Sequence, residues 1–267
     1  MRYIELTPPP LLQPYVRLLW SLELETPHDF GPPERIAPDG IVEMVFHYRV
    51  PMAVRYAREP FAVQPRSSLV SQTRRFIEIE PAGPTGFVSV RFQPWGAYHF
   101  FEPPVSELAD QVVPAEEVWG GAVRELEERL ASAFDLRERA SLIEQFLIGR
   151  LERHHQRDVE DLVREVWKRK GNVRVAKLSR ELGLTERTME RIFQDAIGMS
   201  PKGYSRLTRF LHACTILRKG QWSSLSEVGQ ACNYYDQAHF IDEFRTFAGM
   251  TPRQFVHARG FSYFDID

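Results

Sequence analysis

Residues 178–251 contain one sequence pattern written twice, and this duplication limits the possible folds more than any other feature. The first copy spans Leu178–Phe193 and closes on a Gly-Met-Ser-Pro motif. The second spans Val228–Phe244 and closes on Gly-Met-Thr-Pro. The two closing glycines, Gly198 and Gly249, are 51 residues apart. A solenoid needs at least about three repeats. Each copy therefore predicts a helix-turn-helix unit, in which a tight turn joins a short helix to a second helix with apolar residues at helical spacing.

Length and composition favour a water-soluble protein with two domains. The chain has 267 residues, of which 43% are hydrophobic and 26% charged, values typical of globular domains. No apolar run approaches the roughly 20 residues that cross a bilayer, and the N-terminus does not resemble a signal peptide. Cys214 and Cys232 lie in apolar helical stretches, which predicts buried free thiols. We therefore expect a cytoplasmic protein without a membrane partner.

The charge is divided unequally along the chain. Residues 1–150 hold 15 Lys and Arg against 21 Asp and Glu, whereas residues 151–267 hold 19 against 15. Within the second half, residues 160–222 carry 14 basic and 7 acidic side chains, and residues 223–267 carry 3 and 6. A basic segment joined to an acidic half indicates nucleic acid as the partner of the basic one.

The first half predicts a small β-barrel or sandwich followed by helices. Short alternating runs are broken by turn residues, and the clearest strands are Ile41–Tyr48 and Phe87–Phe92. From Val105 the pattern becomes helical, with amphipathic helices over Ala122–Phe134 and Ala140–Leu151. The inner stripe of the first helix is expected to consist of Val123, Leu126, Leu130 and Phe134. These helices either cover the barrel or form the shared surface of a two-fold dimer. The expected plan is a β-barrel domain with trailing helices over residues 1–151, a linker over 152–158 and an all-α domain over 159–267.

Seven helices with short joints are expected in the second half. Thr185 and Asp236 are suitable N-caps for the second helix of each repeat, as Ser200 and Thr251 are for the helices that follow. The predicted helices are Val159–Lys170, Val175–Leu182, Thr185–Ile197, Pro201–Lys219, Leu225–Cys232, Asp236–Phe247 and Pro252–Arg259.

The helix Thr185–Ile197 has the pattern of a DNA-reading helix. Met189, Ile192, Phe193 and Ile197 form its inner stripe, while its outer face carries Glu186, Arg187, Glu190 and Arg191. An arginine there can donate two hydrogen bonds to guanine, which discriminates by about 1–3 kcal/mol. An ordinary solvated helix face would explain the same charges in an isolated helix. The duplicated turn and the local excess of basic residues favour DNA.

The helix Pro201–Lys219 joins the two units as a strut. About 18 residues at about 1.5 Å each make a rod of about 27 Å, comparable with the roughly 34 Å between successive major grooves on one face of B-DNA. Contacts with phosphates set register but not sequence. The residues expected to make them are Arg174, Lys177, Lys202, Arg206, Arg245 and Arg253.

Taken together, these residues resemble the DNA-binding domain of the AraC/XylS family of bacterial transcription regulators. The resemblance covers roughly residues 158–258 and rests on Leu178–Phe193, the two Gly-Met-Ser/Thr-Pro motifs, Ala231–Phe240 and Phe244-Arg245. It implies that the second helix of each motif reads the major groove. Carried over by position, the base-reading residues are Arg187, Thr188, Glu190 and Arg191 in the first unit, and Gln237, Ala238 and Asp242 in the second. RNA polymerase would be a further partner if the protein is an activator.

Two departures from the family pattern affect the second unit. Asn233 stands where the family favours glycine, which is tolerable because Asn accepts the left-handed conformation better than most residues. Asp242 and Glu243 stand where a basic or neutral residue is more usual. Two carboxylates facing a polyanion weaken binding. We therefore expect the first unit to supply most of the affinity and specificity.

The first half is similar, over shorter motifs, to the sensor domain of one subgroup of this family. The motifs are Ala37-Pro-Asp-Gly40, Val90–Gly96, Ser106–Asp110 and Val118-Trp-Gly120. The resemblance implies a cupin-like β-barrel with trailing helices that senses an effector or dimerises. Candidate effector-binding residues are Glu43, His47, Arg91 and Trp95, although for Arg91 an ion pair with Glu43 or a surface role is the preferred interpretation.

No cofactor or metal ion is expected. His47 and His99 lack the spacing of a cupin metal site, and no nucleophile-elbow, Walker or paired-cysteine motif occurs. The leading hypothesis is thus a sequence-specific DNA-binding regulator, not an enzyme, controlled by a small molecule, a homodimer or both. Two alternatives remain open: a metal-dependent cupin enzyme fused to a DNA-binding module, and an architectural DNA binder without an effector.

Overall fold

The fold is taken from a computed structural model, which describes residues 1–56, 59–152, 157–258 and 261–262. The predicted linker, residues 152–158, lies mostly outside this part, as does the predicted end of the last helix at Arg259. The strands of the described residues are β1 (Arg2–Leu6), β2 (Val16–Leu24), β3 (Glu34–Ile36), β4 (Glu43–His47), β5 (Met52–Tyr56), β6 (Ala62–Val63), β7 (Ser67–Val70), β8 (Ile77–Pro81), β9 (Thr85–Phe92), β10 (Val112–Pro114) and β11 (Phe261–Ser262).

These strands form two sheets. The larger has the order β1-β2-β9-β4-β7-β10, and the smaller has the order β11-β3-β8-β5-β6. Leu22, Val45 and Phe87 of the larger sheet pack with Met52 and Ile79 of the smaller one. The prediction of a β-rich first half followed by a helical second half is confirmed. The narrower expectation of a cupin-like barrel stays a prediction.

The central strand β4 shows why the larger sheet is buried on both faces. Its alternation sends Val45 towards the smaller sheet and Met44 and Phe46 to the opposite face. On that opposite face, Phe46 packs against Phe146 with ring centroids 6.5 Å apart. The sheet is therefore covered by the second sheet on one side and by helices on the other.

Helices cover the second face of this sheet. They are α1 (Ala115–Trp119), α2 (Gly121–Ser132) and α3 (Leu136–Ile148). The side chains of Val123, Leu126 and Leu130 are buried as the spacing predicted. Phe134 is an exception, since α2 ends before it and its side chain is 94% exposed. Placing Phe134 on the inner stripe was wrong, because the helical period no longer applies beyond Ser132.

The second half contains seven helices among the described residues, as predicted: α4 (Arg157–Lys168), α5 (Val175–Glu181), α6 (Glu186–Ile197), α7 (Pro201–Lys219), α8 (Leu225–Ala231), α9 (Gln237–Ala248) and α10 (Pro252–His257). The four predicted N-caps are confirmed. Thr185, Ser200, Asp236 and Thr251 each accept a hydrogen bond from the backbone N–H three residues later, at 2.7–3.3 Å. Cys214 and Cys232 are buried, as expected, and neither forms a disulfide among the described residues.

The two halves share one continuous apolar core. Trp95 packs against Trp167 of α4, with ring centroids 6.1 Å apart. Gly40 lies under the ring of Tyr204 in α7, so that a methyl group on Gly40 would lie 2.8 Å from Cε2 of that ring. The short strand β11 follows the last helix and pairs in parallel with β3 of the smaller sheet. The helical half is thus held against the β-rich half at several points.

The helices in the described part of the chain are all too short or too polar to cross a membrane.

Candidate DNA-reading surface

The first helix-turn-helix unit exposes the N-terminal part of α6. The turn before it uses Gly183 at φ +70°, a left-handed conformation that a side chain would strain. Thr185 then caps the helix, and its hydroxyl accepts the Thr188 N–H at 3.1 Å. Met189, Ile192 and Phe193 are buried, which fixes the rotation of the helix. This rotation places Glu186, Arg187, Glu190 and Arg191 in solvent, with Thr188 half-buried beside them.

In the second unit, Asn233 replaces the glycine of the turn. It adopts φ +59°, the left-handed conformation expected for this position. Its side chain also contributes a contact that glycine lacks, because Nδ2 donates to Oδ1 of Asn172 at 2.8 Å. Asn172 lies in the connection between α4 and α5. The amide of Asn233 therefore ties the turn of the second unit to the first unit.

The helix α9 presents a different surface from the one its sequence predicted. Gln237, Ala238 and Asp242 are exposed along its outer side. Glu243 is not, because its side chain is 5% exposed and faces α7. The expectation that two carboxylates face DNA was wrong for Glu243. At this position the helical period places the side chain on the same side as Phe240, Phe244 and Phe247, which are buried.

The carboxylate of Glu243 joins α9 to the strut α7. Arg206 Nε donates to its Oε2 at 2.9 Å, and Arg209 Nη2 donates to its Oε1 at 3.3 Å. The side chain of His239 lies 3.7 Å from the same carboxylate. Two guanidinium groups thus balance the buried charge. They hold α9 to α7.

The strut α7 has 19 residues and is buried along much of its length. At about 1.5 Å per residue it is about 28 Å long. The ring of Phe210 lies 5.0 Å from Phe244 and 5.1 Å from Phe247, both in α9. Nearer the N-terminus of the strut, Tyr204 packs against Phe193 of α6 at 5.7 Å. Aromatic contacts in the first turn and at the middle of α7 therefore connect α6 and α9 through one rigid element.

The residues expected to contact phosphates divide into two groups. Arg174, Lys177, Lys202, Arg245 and Arg253 are exposed. Lys177 and Arg245 lie 3.7 Å and 3.9 Å from acidic neighbours on their own helices, and such exposed pairs are weak. Arg206 is only half exposed because Glu243 engages its guanidinium.

Two of the candidate effector residues form an ion-pair network in the β-rich half. Glu43 and Arg91 are direct partners across β4 and β9, and Arg91 donates to both Glu43 and Asp39. Burial acts to lower the pKa of Arg91, but the two carboxylates more than offset it, so this pKa is raised. Ser89 Oγ also donates to Glu43 at 3.0 Å. The preferred interpretation of Arg91, a pair with Glu43, is confirmed.

His47 and Trp95 serve other contacts. One ring nitrogen of His47 lies 3.2 Å from the Arg66 carbonyl oxygen, and the other accepts the Met52 N–H at 3.2 Å. Burial lowers the pKa of His47 to about 4. Trp95 donates to the Pro14 carbonyl at 3.0 Å and packs on α4. The structure therefore brings Glu43 and Arg91 together, but places Trp95 at the contact between the two halves.

A cavity of about 700 Å³ opens at the edge of the smaller sheet, at a place that the sequence did not indicate. Its walls include Tyr56, Gln64, Val63, Thr73, Arg75 and Phe76. Burial raises the pKa of Tyr56 to about 12, and the nearby carboxylates of Asp110 and Glu59 add to this effect. Within the described part of the chain, His, Cys, Asp and Glu form no group of three that would hold a metal ion.

Two family models match the chain, one in each half. A model described as a domain of unknown function matches residues 4–114, and one described as a helix-turn-helix domain matches residues 178–258. The transcriptional activators named RhaR from Yersinia pestis and Yersinia pseudotuberculosis are 36% identical over 72 residues. This region is 27% of this chain and 24% of theirs, so the match spans about a quarter of these relatives.

Solved structures of similar proteins were also found. ToxT from Vibrio cholerae aligns over 84% of this chain and 92% of its own, at 8% identity and a TM-score of 0.47. A regulator from Chromobacterium violaceum, described as containing an AraC-type DNA-binding domain, aligns over 37% of this chain and 91% of its own, at 21% identity and a TM-score of 0.34.

The matched sequence and the geometry of α5–α10 define the class of the second half, which is a double helix-turn-helix domain. Within that class, residues 178–258 match the helix-turn-helix family model, and the chain is similar over 72 residues to the RhaR transcriptional activators.

Proposed function

We propose that the protein is a sequence-specific DNA-binding transcription regulator. The observation that carries this proposal is the paired presentation of α6 and α9. Each helix buries its inner stripe and exposes polar side chains near its N-terminus, and α7 fixes the distance between them. The strut is about 28 Å long, which is comparable with the roughly 34 Å between successive major grooves on one face of DNA.

The residues proposed to read bases are Arg187, Thr188, Glu190 and Arg191 in α6, with Gln237, Ala238 and Asp242 in α9. The proposed phosphate contacts come from Arg174, Lys177, Lys202, Arg245 and Arg253, with a smaller share from Arg206 because Glu243 holds it. The first unit supplies most of the affinity, since Asp242 is the exposed acidic residue on the second reading helix.

Selection of binding sites from random double-stranded DNA by the full chain tests the proposal. The expected result is a recovered motif with two half-sites about one helical turn apart. Recovery of DNA without a common motif would support an architectural binder instead. Absence of DNA binding by the folded protein would overturn the proposal. A stoichiometric metal in the purified protein would favour the metal-dependent enzyme.

We also propose that a small-molecule effector, if it acts on the first half, binds in the cavity beside Phe76 rather than at Glu43 and Arg91. The ion pairs of Arg91 leave it engaged, whereas the cavity has apolar walls and polar groups such as Tyr56 and Gln64. A thermal-shift screen of small organic compounds against the wild type and Val63→Trp tests this site. Val63 is 61% exposed and lines the cavity, so the larger ring can occupy it. Compounds that stabilise only the wild type support the site, and compounds that stabilise both proteins equally place binding elsewhere.

Two further partners belong to the same proposal. These are a second copy of the chain and, for an activator, RNA polymerase. Sedimentation of the protein alone and on its selected DNA measures the number of copies.

We also propose that the domains span residues 1–151 and 159–267, with the linker between them. Limited proteolysis tests these limits.

A further inference from the structure

One short segment of the β-rich half touches both helix-turn-helix units. This segment, residues 72–76, connects β7 to β8, and we call it the bridge segment. At its start, Gln72 lies beside Gly198 at the end of α6. A methyl group added to Gly198 would lie 3.3 Å from Cγ of Gln72 and 3.0 Å from Cγ1 of Val105. At its end, Phe76 lies against Gly249, where an added methyl group would lie 2.0 Å from Cε1 of the ring.

The two contact points are equivalent positions of the sequence repeat. Gly198 and Gly249 end the two reading helices, and both adopt the left-handed conformation, at φ +82° and +66°. A side chain at either position would strain the backbone and would also meet the bridge segment. The bridge segment therefore contacts both units at the same point, the C-terminal end of the reading helix. The proposed DNA-facing residues lie nearer the N-terminal ends of these helices, about 10–18 Å along the axis from the closing glycines.

The contact with the second unit is reinforced by hydrogen bonds. The Phe76 N–H donates to the Phe247 carbonyl oxygen at 3.1 Å. The guanidinium of Arg35 lies 4.1 Å from the centroid of the Phe76 ring and donates to the Ala248 carbonyl oxygen at 3.4 Å. Arg35 is itself held by Glu78 at 2.7 Å. Phe76 is thus clamped between β3, β8 and the end of α9.

The contact with the first unit contains a buried polar side chain, that of Gln72. Gln72 is 2% exposed, and no hydrogen-bond partner for its side-chain amide is found among the described residues. A buried amide without partners is unfavourable compared with an apolar group of the same shape. The contact of Gln72 with Gly198 is therefore weaker than the contact of Phe76 with Gly249.

We propose that the bridge segment is a positioning element that fixes the orientation of the two reading helices relative to one another. This inference rests on the proposed function. The strut α7 and the hydrogen bond from Asn233 to Asn172 join the units directly, but one helix and one side-chain contact only weakly restrain rotation of the units about the strut axis. A third body that touches both helix ends removes this freedom. Phe76 and Gln72 act through Gly249 and Gly198, not through DNA.

The test measures how strictly the protein reads the spacing between its two half-sites. The DNA probes are the selected site with both half-sites, the same site with inserts of about 1–6 base pairs between them, and the first half-site alone. For the wild type, affinity falls at least about tenfold when the insert approaches half a helical turn of about 5 base pairs. For Phe76→Ala, the same insert lowers affinity less than about threefold, while affinity for the single half-site stays within about twofold of the wild type.

The matched control is Phe61→Ala. The ring of Phe61 is stacked by Arg55 of the same sheet at 4.4 Å, so its loss perturbs an aromatic–arginine contact without touching Gly249. Its spacing profile should equal that of the wild type. A general loosening of the β-rich half would change both profiles, and that result would overturn the proposal.

A second variant works in the opposite direction. Gln72→Met removes the unpaired amide and keeps the length of the side chain, so it should tighten the contact with Gly198 and sharpen the dependence on spacing. If Phe76→Ala does not fold, as judged by circular dichroism, the spacing profile of Gln72→Met tests the positioning role. An unchanged profile in that variant, or in folded Phe76→Ala, overturns the positioning role. If the wild type binds DNA with the same affinity at every spacing, the positioning role is also overturned, while the proposed function stands.

Discussion

The carboxylate of Glu243 accepts a hydrogen bond from Arg206 at 2.9 Å across the contact between α9 and α7. Arg209 reaches the same carboxylate from the next turn of α7. Glu243 is nearly fully buried, whereas its neighbour Asp242 is 78% exposed. Adjacent carboxylates on one helix therefore have opposite roles, one holding the domain together and one facing solvent.

Glu243→Gln should destabilise the helical half by about 2–4 kcal/mol, because it removes the buried charge that balances Arg206 and Arg209. The free energy of unfolding, measured with chemical denaturant, checks this. Asp242→Asn is the matched control. It should change stability by less than about 0.5 kcal/mol, since an exposed residue away from buried networks contributes little. Equal effects of the two changes would contradict the assignment.

Arg187→Ala and Arg191→Ala should each weaken binding to the selected DNA by roughly 5- to 150-fold, the range that corresponds to about 1–3 kcal/mol for a lost arginine–guanine contact. Both side chains are exposed, so the melting temperature should not change. Fluorescence anisotropy on labelled DNA measures the affinity. Arg129→Ala, an exposed arginine of α2, serves as the control. Unchanged affinity in both α6 variants would exclude this helix as the main reader.

Asp242→Arg should tighten DNA binding and make it more dependent on salt if α9 enters a groove. The change replaces a repelled carboxylate with a group that neutralises a phosphate. The slope of log K against log salt should steepen by about one unit for each additional phosphate that the protein neutralises. Asp161→Arg makes the same change of charge at an exposed position of α4. If the two variants behave alike, the effect comes from total charge and α9 does not approach DNA.

Stability should fall in mild acid because of His47. Its pKa in the folded protein is about 4, below the ordinary value of 6.5, since burial disfavours the charged ring. The unfolded chain thus binds more protons between these two values, and stability is lost as pH falls from about 6.5 towards 4. The loss at pH 5 relative to pH 7.5 is about 2 kcal/mol from this group.

Denaturation curves recorded between pH 7.5 and 4.5 measure this dependence. His28→Gln, at an exposed position, should keep the dependence of the wild type. His47→Asn should flatten it at the cost of lower stability. Direct observation of the His47 ring by NMR provides a check that does not depend on a variant. A titration of that ring near pH 6.5 in the folded protein would contradict the prediction.

The helical half followed from its sequence because local signals there agree with one another. Thr185, Asp236 and Pro201 mark helix starts through their own chemistry, and the apolar period gives the buried stripe. The strut was predicted with the bounds it has, Pro201–Lys219. The orientation of Glu243 was missed, although its position three residues after Phe240 places it on the buried side of the helix. A charged residue at such a position is expected to be exposed until its partners in α7 are known.

The β-rich half was less predictable, since its contacts join residues far apart in the chain. The pair of Glu43 and Arg91 was anticipated from charge alone, whereas Asp39 as a third member was not. Nothing in the sequence around Gln72 and Phe76 indicates contact with Gly198 and Gly249. That contact depends on how the two halves pack, which no local period or motif encodes. The cavity beside Phe76 was missed for the same reason.

The parallel pairing of β11 with β3 has a consequence for the order in which the protein is made. During synthesis from the N-terminus, Arg35 and Ile36 leave the ribosome long before their partners Phe261 and Ser262. Until then, β3 is an open edge strand, and such edges invite pairing with other chains. The edge of β3 in the nascent protein therefore stays unpaired until the helical half has been synthesised, and the arrival of β11 covers it.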